Sequence, residues 1–179
     1  SSENGVLFNK DKTMLLKYPA GKKEENYNVP QGVTSLGAGA FSNSTYLKHL
    51  TLPENFQEIK AFAFADCSSV ETIYSDGVTS IGSNAFDNCF DLMSIEFNGN
   101  LEILGVNDTS ILVDHSYMFW NCKKLESVII PHGTADIPSY FLNSSSVKYV
   151  ELPNNCQEIG AGAFNGCSKL VDITIPVSV

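Results

Sequence analysis

The feature that most constrains the fold of this chain is an internal repeat marked by phenylalanine. The residues at this repeat position are Phe41, Phe64, Phe86, Phe119, Phe141 and Phe164. Their separations, obtained by subtraction, are 23, 22, 33, 22 and 23 residues, and aliphatic residues follow at fixed distances after each one. A repeat of this length is typical of a solenoid, because one unit alone cannot bury its apolar residues and must stack on its neighbours.

Each repeat unit is expected to form one coil of such a stack. The segment 47–53, Leu-Lys-His-Leu-Thr-Leu-Pro, ends in alternating apolar and polar residues, which is typical of a strand with one buried face. An aliphatic residue such as Ile59 or Ile81 follows, and then a short stretch like the Gly-Ala-Gly-Ala-Phe of residues 37–41. That stretch is too short for a long helix. We therefore expect a parallel sheet on one side and a helical or 3₁₀ turn outside.

One consensus describes the units: Ile-x-x-x-Ala-Phe-x-x-Cys-x-x-Leu-x-x-Ile-x-Ile-Pro, which is clearest over residues 159–176. This pattern resembles the BspA-like leucine-rich repeats of bacterial cell-surface proteins, and the resemblance covers residues 33–179. It implies an α/β fold, namely a right-handed leucine-rich-repeat solenoid. In such a solenoid a curved parallel sheet forms the concave side, with short helical or 3₁₀ turns outside.

The domain organisation follows from the same resemblance. Residues 1–32 resemble the hairpin unit common in these proteins and are expected to form an N-terminal cap. Residues 33–179 are expected to form an array of about six coils. The longest interval, 33 residues, places an insertion near residues 105–117. Insertions in a solenoid emerge as loops on one face, and such loops are often used for binding.

Composition and motifs exclude several classes of function. Eleven Lys and Arg against twenty Asp and Glu give a net charge of −9, so a nucleic-acid partner is not expected. The apolar runs are too short to insert into a membrane. The sequence has no G-x-S-x-G, H-E-x-x-H, phosphate-binding loop or paired-carboxylate motif. We therefore expect no enzyme and no cofactor.

The cysteines predict a buried column. Four of them occupy one repeat position: Cys67, Cys89, Cys122 and Cys167. An odd total of five argues against a full disulfide framework. Free cysteine is a small hydrophobic residue that is commonly buried. No His or carboxylate shares the spacing that metal ligation needs, so we expect core thiols and no metal site.

The candidate ligand-binding residues lie at outward positions of the predicted strands, on the concave face. They are His49, Tyr74, Glu96, Ile129, Tyr149 and Glu151. Aromatic residues mixed with acids suit the recognition of a protein or a glycan, because aromatic side chains anchor interfaces. The alternative is a solvated face in which Tyr and Thr are present for their strand propensity.

The insertion supplies a second set of candidates, which are Asp108, Asp114, His115 and Tyr117. An apolar Ile-Leu-Val run at 111–113 needs burial. Packing on its own domain is favoured over packing on a partner. The acids and the histidine have the chemistry to ligate a cation, although their spacing specifies none.

The resemblance implies a non-enzymatic binding module that is secreted or held at the bacterial cell surface, with adhesion to a host or cell-surface protein. The polar opening segment contains no signal peptide, so for an extracellular protein we expect the signal to be removed or to lie outside this sequence. Two other functions stay open: a spacer or stalk that presents another domain, and a glycan-binding accessory protein.

Overall fold

A computed structural model describes residues 1–75, 77–97, 101–105 and 116–179 of the chain. Within these ranges the molecule is a stack of coils built from sixteen short strands. In chain order they are β1 (Ser2–Glu3), β2 (Val6–Phe8), β3 (Met14–Lys17), β4 (Asn26–Asn28), β5 (Ser35–Leu36), β6 (His49–Thr51), β7 (Glu58–Ile59), β8 (Thr72–Ser75), β9 (Ser80–Ile81), β10 (Ser94–Phe97), β11 (Ile103–Leu104), β12 (Ser127–Ile129), β13 (Asp136–Ile137), β14 (Tyr149–Glu151), β15 (Glu158–Ile159) and β16 (Asp172–Ile173).

The predicted parallel sheet is formed by the alternating segment of each coil. It consists of a four-stranded part, ordered β10-β8-β6-β4, and a three-stranded part, ordered β12-β14-β16. Register advances by one repeat per strand, so Leu50 pairs with Ile73 and Ile73 pairs with Ile95. The central residue of each three-residue strand β6, β12 and β14 is buried and its neighbours are exposed. The apolar residues of these strands therefore face the core and the polar residues face outward, as the alternation predicts.

A second sheet, which we term the anchor sheet, is formed by the short segments that carry the aliphatic residue of each coil, such as Ile59 and Ile81. Its strands are ordered β1-β2-β3-β5-β7-β9-β11, and a separate pair is formed by β13 and β15. Strands β5, β7 and β9 are two residues long and stack Leu36, Ile59 and Ile81 in parallel register. The antiparallel strands β1, β2 and β3 join this sheet where β3 pairs in parallel with β5. The boundary between cap and array at residue 32 stays a prediction.

The prediction of helical or 3₁₀ turns on the outer side was wrong, because the residues with an assigned conformation contain neither kind of helix. In each turn, bonds within the coil, such as Ala63 N–H to Lys60 O at 3.2 Å, alternate with bonds to the next coil. Phe41 N–H donates to Ala63 O at 2.7 Å, and Phe64 N–H donates to Ala85 O at 2.8 Å. Backbone groups that are bonded to the next coil are not available for bonds within a helix. The fold is thus a parallel-sheet solenoid of about six turns.

The core of the solenoid is a ladder of stacked rings. Phe41 and Phe64 have centroids 5.3 Å apart with planes at 12°, and Phe64 and Phe86 lie 5.5 Å apart at 7°. Phe86 and Phe119 continue the stack at 5.1 Å and 8°. All four side chains are fully buried. Equivalent positions in parallel coils meet face to face, so the repeat spacing generates the ladder.

The assignment of Phe141 to this ladder was wrong by one residue. Its carbonyl accepts a hydrogen bond from Phe119 N–H at 3.1 Å, the role that Met118 O plays for Phe86 N–H. Phe141 therefore occupies the position of Ala63 and Ala85, while Leu142 occupies the phenylalanine position. The ring of Phe141 meets that of Phe119 edge-on, at 83°.

The cysteine column is buried in three coils, as predicted for Cys67, Cys89 and Cys122, whereas Cys167 in the last coil is only partly buried. Each thiol donates to a carbonyl of the preceding coil: Cys67 to Phe41 at 3.0 Å and Cys89 to Phe64 at 3.2 Å. Burial raises the pKa of Cys67 to about 12. All five cysteines are free. Their role is to fill the core between turns while satisfying a carbonyl.

Candidate functional site

The strands β6, β8, β10, β12 and β14 carry outward residues that we term the strand face. Parallel register aligns the outward residues in two rows along the stack. The first row runs His49, Thr72, Ser94, Ser127 and Tyr149. The second row runs Thr51, Tyr74, Glu96, Ile129 and Glu151.

Three large side chains of the strand face stand clear of the core. Tyr74 is 62% exposed, Ile129 is 60% exposed and Tyr149 is 58% exposed. Ile129 lies opposite the exposed Glu151 in the register of β12 and β14, and Tyr149 lies one strand from Ser127. These three residues, Ile129, Glu151 and Tyr149, therefore form one cluster of apolar and acidic groups.

The remaining strand-face candidates lie in the first coils. His49 is exposed and its Nδ1 lies 3.1 Å from Thr72 Oγ1 on the next strand. Tyr74 pairs with Glu96 in the register of β8 and β10, and the side chain of Glu96 is outside the structural description. Strands β10 and β12 lie side by side but belong to different parts of the sheet. The predicted residues thus fall into two clusters on one face.

Ion pairs between coils border the strand face. Lys48 Nζ lies 2.8 Å from Glu25 Oε1, and Lys148 Nζ lies 2.8 Å from Glu126 Oε1. The bond to Glu25 raises the pKa of Lys48, and the bond to Lys148 lowers the pKa of Glu126. Exposed pairs of this kind add little to stability. They place charged groups along the edge of the strand face at which β4, β6, β12 and β14 begin.

Only one of the four insertion candidates, Tyr117, lies among the residues that the structure describes. Asp108, Asp114 and His115 lie outside the described residues. Tyr117 lies among the turns between the anchor sheet and the strand face, where its ring stacks on Tyr140 with centroids 5.1 Å apart. The indole of Trp120 meets Tyr117 edge-on at 6.4 Å. We term this part of the surface the turn side.

The turn side has a conformational signature that sequence reasoning missed. The residue two positions before each phenylalanine position has a positive φ, and Gly39 and Gly162 fill it in two coils. Tyr117 and Tyr140 fill it elsewhere, with φ of 36° and 57°. A bulky residue in the left-handed region costs about 1–2 kcal/mol relative to glycine. Tyr117, at a position that glycine fills in sister repeats, was the available signal, whereas the one-residue slip in the next coil hid Tyr140.

Two further observations bear on the class of protein. The described part of the chain has no helix with the length and apolar character that crossing a bilayer demands. Within the same residues, no group of three or more His, Cys, Asp or Glu side chains is arranged to hold a metal ion.

Comparison with solved structures supports the fold. The pneumococcal vaccine antigen PcpA is 26% identical with a TM-score of 0.66, over 89% of this chain and 42% of that one. A leucine-rich cell surface protein of Faecalibacterium prausnitzii is 22% identical with a TM-score of 0.68, over 95% of this chain and 52% of that one. The leucine-rich repeat protein of T. pallidum is 22% identical with a TM-score of 0.70, over 92% of this chain and 86% of that one.

This chain therefore spans about half, or less, of the first two of these proteins. None of the curated proteins matches it in sequence. The sequence model of the BspA type leucine rich repeat region matches residues 20–110 and 109–179, with 6 copies. The two matched ranges together cover most of the chain. The solenoid also has the same fold as the solved leucine-rich repeat structures compared above. The chain belongs to the family of BspA-type leucine-rich repeat proteins.

Proposed function

We propose that this chain is a protein-binding module of the bacterial cell surface, that it acts in adhesion, and that it binds through the strand face. The observation that carries the proposal is the exposure of Tyr74, Ile129 and Tyr149, each about three-fifths accessible, on one face. Large apolar side chains of this kind are the anchors of protein interfaces when a partner buries them.

The alternative of a purely solvated face accounts for the strand face less well. Strand propensity explains Thr72 and the tyrosines, because aromatic and β-branched residues favour strands. Ile129 has the same propensity, but at 60% exposure it keeps most of an aliphatic side chain in water. Its neighbours Tyr149 and Glu151 give the surrounding surface a mixed aromatic and acidic character. An apolar centre with a charged rim is the usual arrangement of a protein interface.

The scaffold also suits binding. Parallel hydrogen bonds fix the separation of successive strands at about 4.8 Å, and the buried ring ladder fixes each coil on the next. The side chains of the strand face are therefore already positioned before a partner arrives. Such preorganisation reduces the ordering that binding requires.

The comparisons support the cell-surface part of the proposal. One similar structure is named a leucine-rich cell surface protein and another is named a vaccine antigen. Family members are generally scaffolds for protein binding and not catalysts. We propose a secreted or surface-exposed location and a protein partner on this basis.

The test is a binding screen of the chain against immobilised matrix proteins, serum proteins and whole cells. Tyr74→Ala/Tyr149→Ala is the test variant, and Tyr46→Ala is the matched control because Tyr46 is 47% exposed but precedes β6. We expect saturable binding that weakens about tenfold or more in the double variant, as for truncation of interface anchors. Binding that survives the double variant would place the site elsewhere. No binding by the folded chain would favour the spacer function.

A further inference from the structure

A second candidate site lies on the turn side, away from the strand face. A cleft of about 440 Å³ opens there across four successive coils. Its walls include Asn84, Asp87, Tyr117, Trp120, Tyr140 and Asn143. We term it the turn-side cleft. Its volume lies in the range of small-molecule sites.

The cleft residues come from two positions of the repeat. Asn84, Tyr117 and Tyr140 occupy the left-handed position two residues before the phenylalanine position. Asp87 and Trp120 each come one residue after the phenylalanine position. Stacking of the coils brings the two columns side by side, so the cleft exists only in the assembled solenoid.

Aromatic rings form one part of the wall and are fixed in place. The rings of Tyr117 and Tyr140 stack at 28°, and Trp120 stands at 65° to Tyr117. Asn88 N–H donates to the carbonyl of Trp120 at 2.9 Å, which ties its turn to the preceding coil. The side chain of Trp120 remains 39% exposed. The accessible part of the indole is available to a ligand that occupies the cleft.

Polar side chains form another part of the wall, and one of their atoms lacks a hydrogen-bond partner. One carboxylate oxygen of Asp87, Oδ1, is buried without a hydrogen-bond partner. Asn84 donates to the same carboxyl group, and burial raises the pKa of Asp87 to about 6. The amide of Asn143 is only 7% exposed, and its Oδ1 accepts from Ser144 Oγ at 3.1 Å. A buried acceptor without a donor is unfavourable, and because Oδ1 has almost no accessible surface, a ligand hydroxyl reaches it only if the Asp87 side chain turns toward the cleft.

We propose that the turn-side cleft binds a neutral carbohydrate, with Trp120 as the stacking surface and Asp87 and Asn143 as hydroxyl partners. The face of an aromatic ring is electron-rich and attracts the polarised C–H groups of a sugar ring. Sugar hydroxyls both donate and accept, which matches a carboxylate beside amides.

Other ligand classes fit the cleft less well. A phosphorylated or sulfated ligand would meet the carboxyl of Asp87, and none of the described residues that line the cleft is Lys or Arg. A cationic ligand suits aromatic rings, but it offers no acceptor to the amide groups of Asn84 and Asn143. A neutral polyol satisfies both the acceptor and the donors.

The chain supplies its own reporter, because Trp120 is its single tryptophan. The whole chain is titrated with neutral tetrasaccharides of glucose, xylose, mannose and N-acetylglucosamine, up to about 10 mM to include weak affinities. We expect a saturable change in tryptophan fluorescence with at least one of them. Isothermal titration calorimetry provides the affinity independently of the reporter.

Variants locate the binding. Tyr140→Asn removes one ring but keeps a residue that the same column tolerates, as Asn84 shows at φ of 57°. Phe62→Asn is the matched control, since Phe62 occupies the same position with φ of 58° and does not line the cleft. We expect Tyr140→Asn and Trp120→Ala to weaken binding about tenfold or more, and Phe62→Asn to leave it unchanged. Circular dichroism confirms that each variant is folded.

Three outcomes would overturn the proposal. The first is a folded chain that binds none of the sugars. The second is binding that Trp120→Ala and Tyr140→Asn leave unchanged, which would place the sugar elsewhere. The third is a response to tetramethylammonium and not to sugars, which would make the cleft a cation site.

Discussion

The register of the fifth coil can be tested with Leu142→Ala. Spacing alone aligns Phe141 with Phe164, and so aligns Leu142 with the exposed Asn165. The structure instead places Leu142 in the phenylalanine column, where its side chain is fully buried. The two alignments predict very different costs for the same substitution.

The expected magnitude follows from the burial of Leu142. Truncation to alanine removes three carbon atoms, worth about 0.8 kcal/mol each in transfer free energy. The cavity adds to this, so we expect a loss of about 3–4 kcal/mol of unfolding free energy. At about 2–4 °C per kcal/mol for a chain of this size, the midpoint falls by roughly 10 °C. An exposed position would change stability by only about 0.5 kcal/mol.

The assay is urea and thermal unfolding followed by circular dichroism, with Asn165→Ala as the control from the aligned position. We expect Asn165→Ala to unfold like the parent chain and Leu142→Ala to unfold much earlier. Equal midpoints for the two variants would refute the register seen in the structure. They would restore Phe141 to the phenylalanine column.

Three further predictions concern packing and protonation. Gly82→Ala should cost about 1–3 kcal/mol of unfolding free energy, because a new Cβ would clash with the backbone N of Ala61. Gly21→Ala, with open space around it, is the control, and thermal unfolding measures both. Asp87→Asn should stabilise the fold above pH 6, because burial raises the pKa of Asp87 from 3.8 to about 6. That pKa shift corresponds to a loss of roughly 3 kcal/mol of unfolding free energy, and because Asp87 is partly exposed we expect about 1–2 kcal/mol. The Cys89 thiol should react with a disulfide reagent at pH 8 only as fast as the chain opens, because its burial raises its pKa well above 9.0.

The sign of the Asp87 effect follows from proton linkage. A raised pKa means that the folded state holds the proton more tightly than the unfolded state between about pH 4 and pH 6. Stability therefore falls as the pH rises through that window, and the asparagine variant escapes the loss. A stability difference between variant and parent that does not grow from pH 4 to pH 7 would contradict this account. Rapid labelling of Cys89 in the folded chain would contradict the prediction for that thiol. A Gly82→Ala variant as stable as Gly21→Ala would contradict the predicted clash.

The repeat itself, the outward rows and the buried thiols could be predicted from the sequence. Each depends on a residue's place within its own unit, and stacking of similar units sends equivalent places to equivalent environments. Tyr74, Ile129 and Tyr149 were assigned to an exposed face on this ground, and that is where they lie. The cysteine column was assigned to the core for the same reason.

Only the tertiary structure decided how the units are joined. Hydrogen bonds between coils alternate with those inside each turn and so prevent a helix from forming. Two-residue strands such as β7 have no periodicity that a sequence pattern would reveal. The one-residue shift in register at Phe141 is fixed by backbone hydrogen bonds to Phe119 and to the following coil. The turn-side cleft arises where Tyr117, Trp120 and Tyr140 meet across coils, because side chains distant in sequence acquire a shared site only when the coils stack.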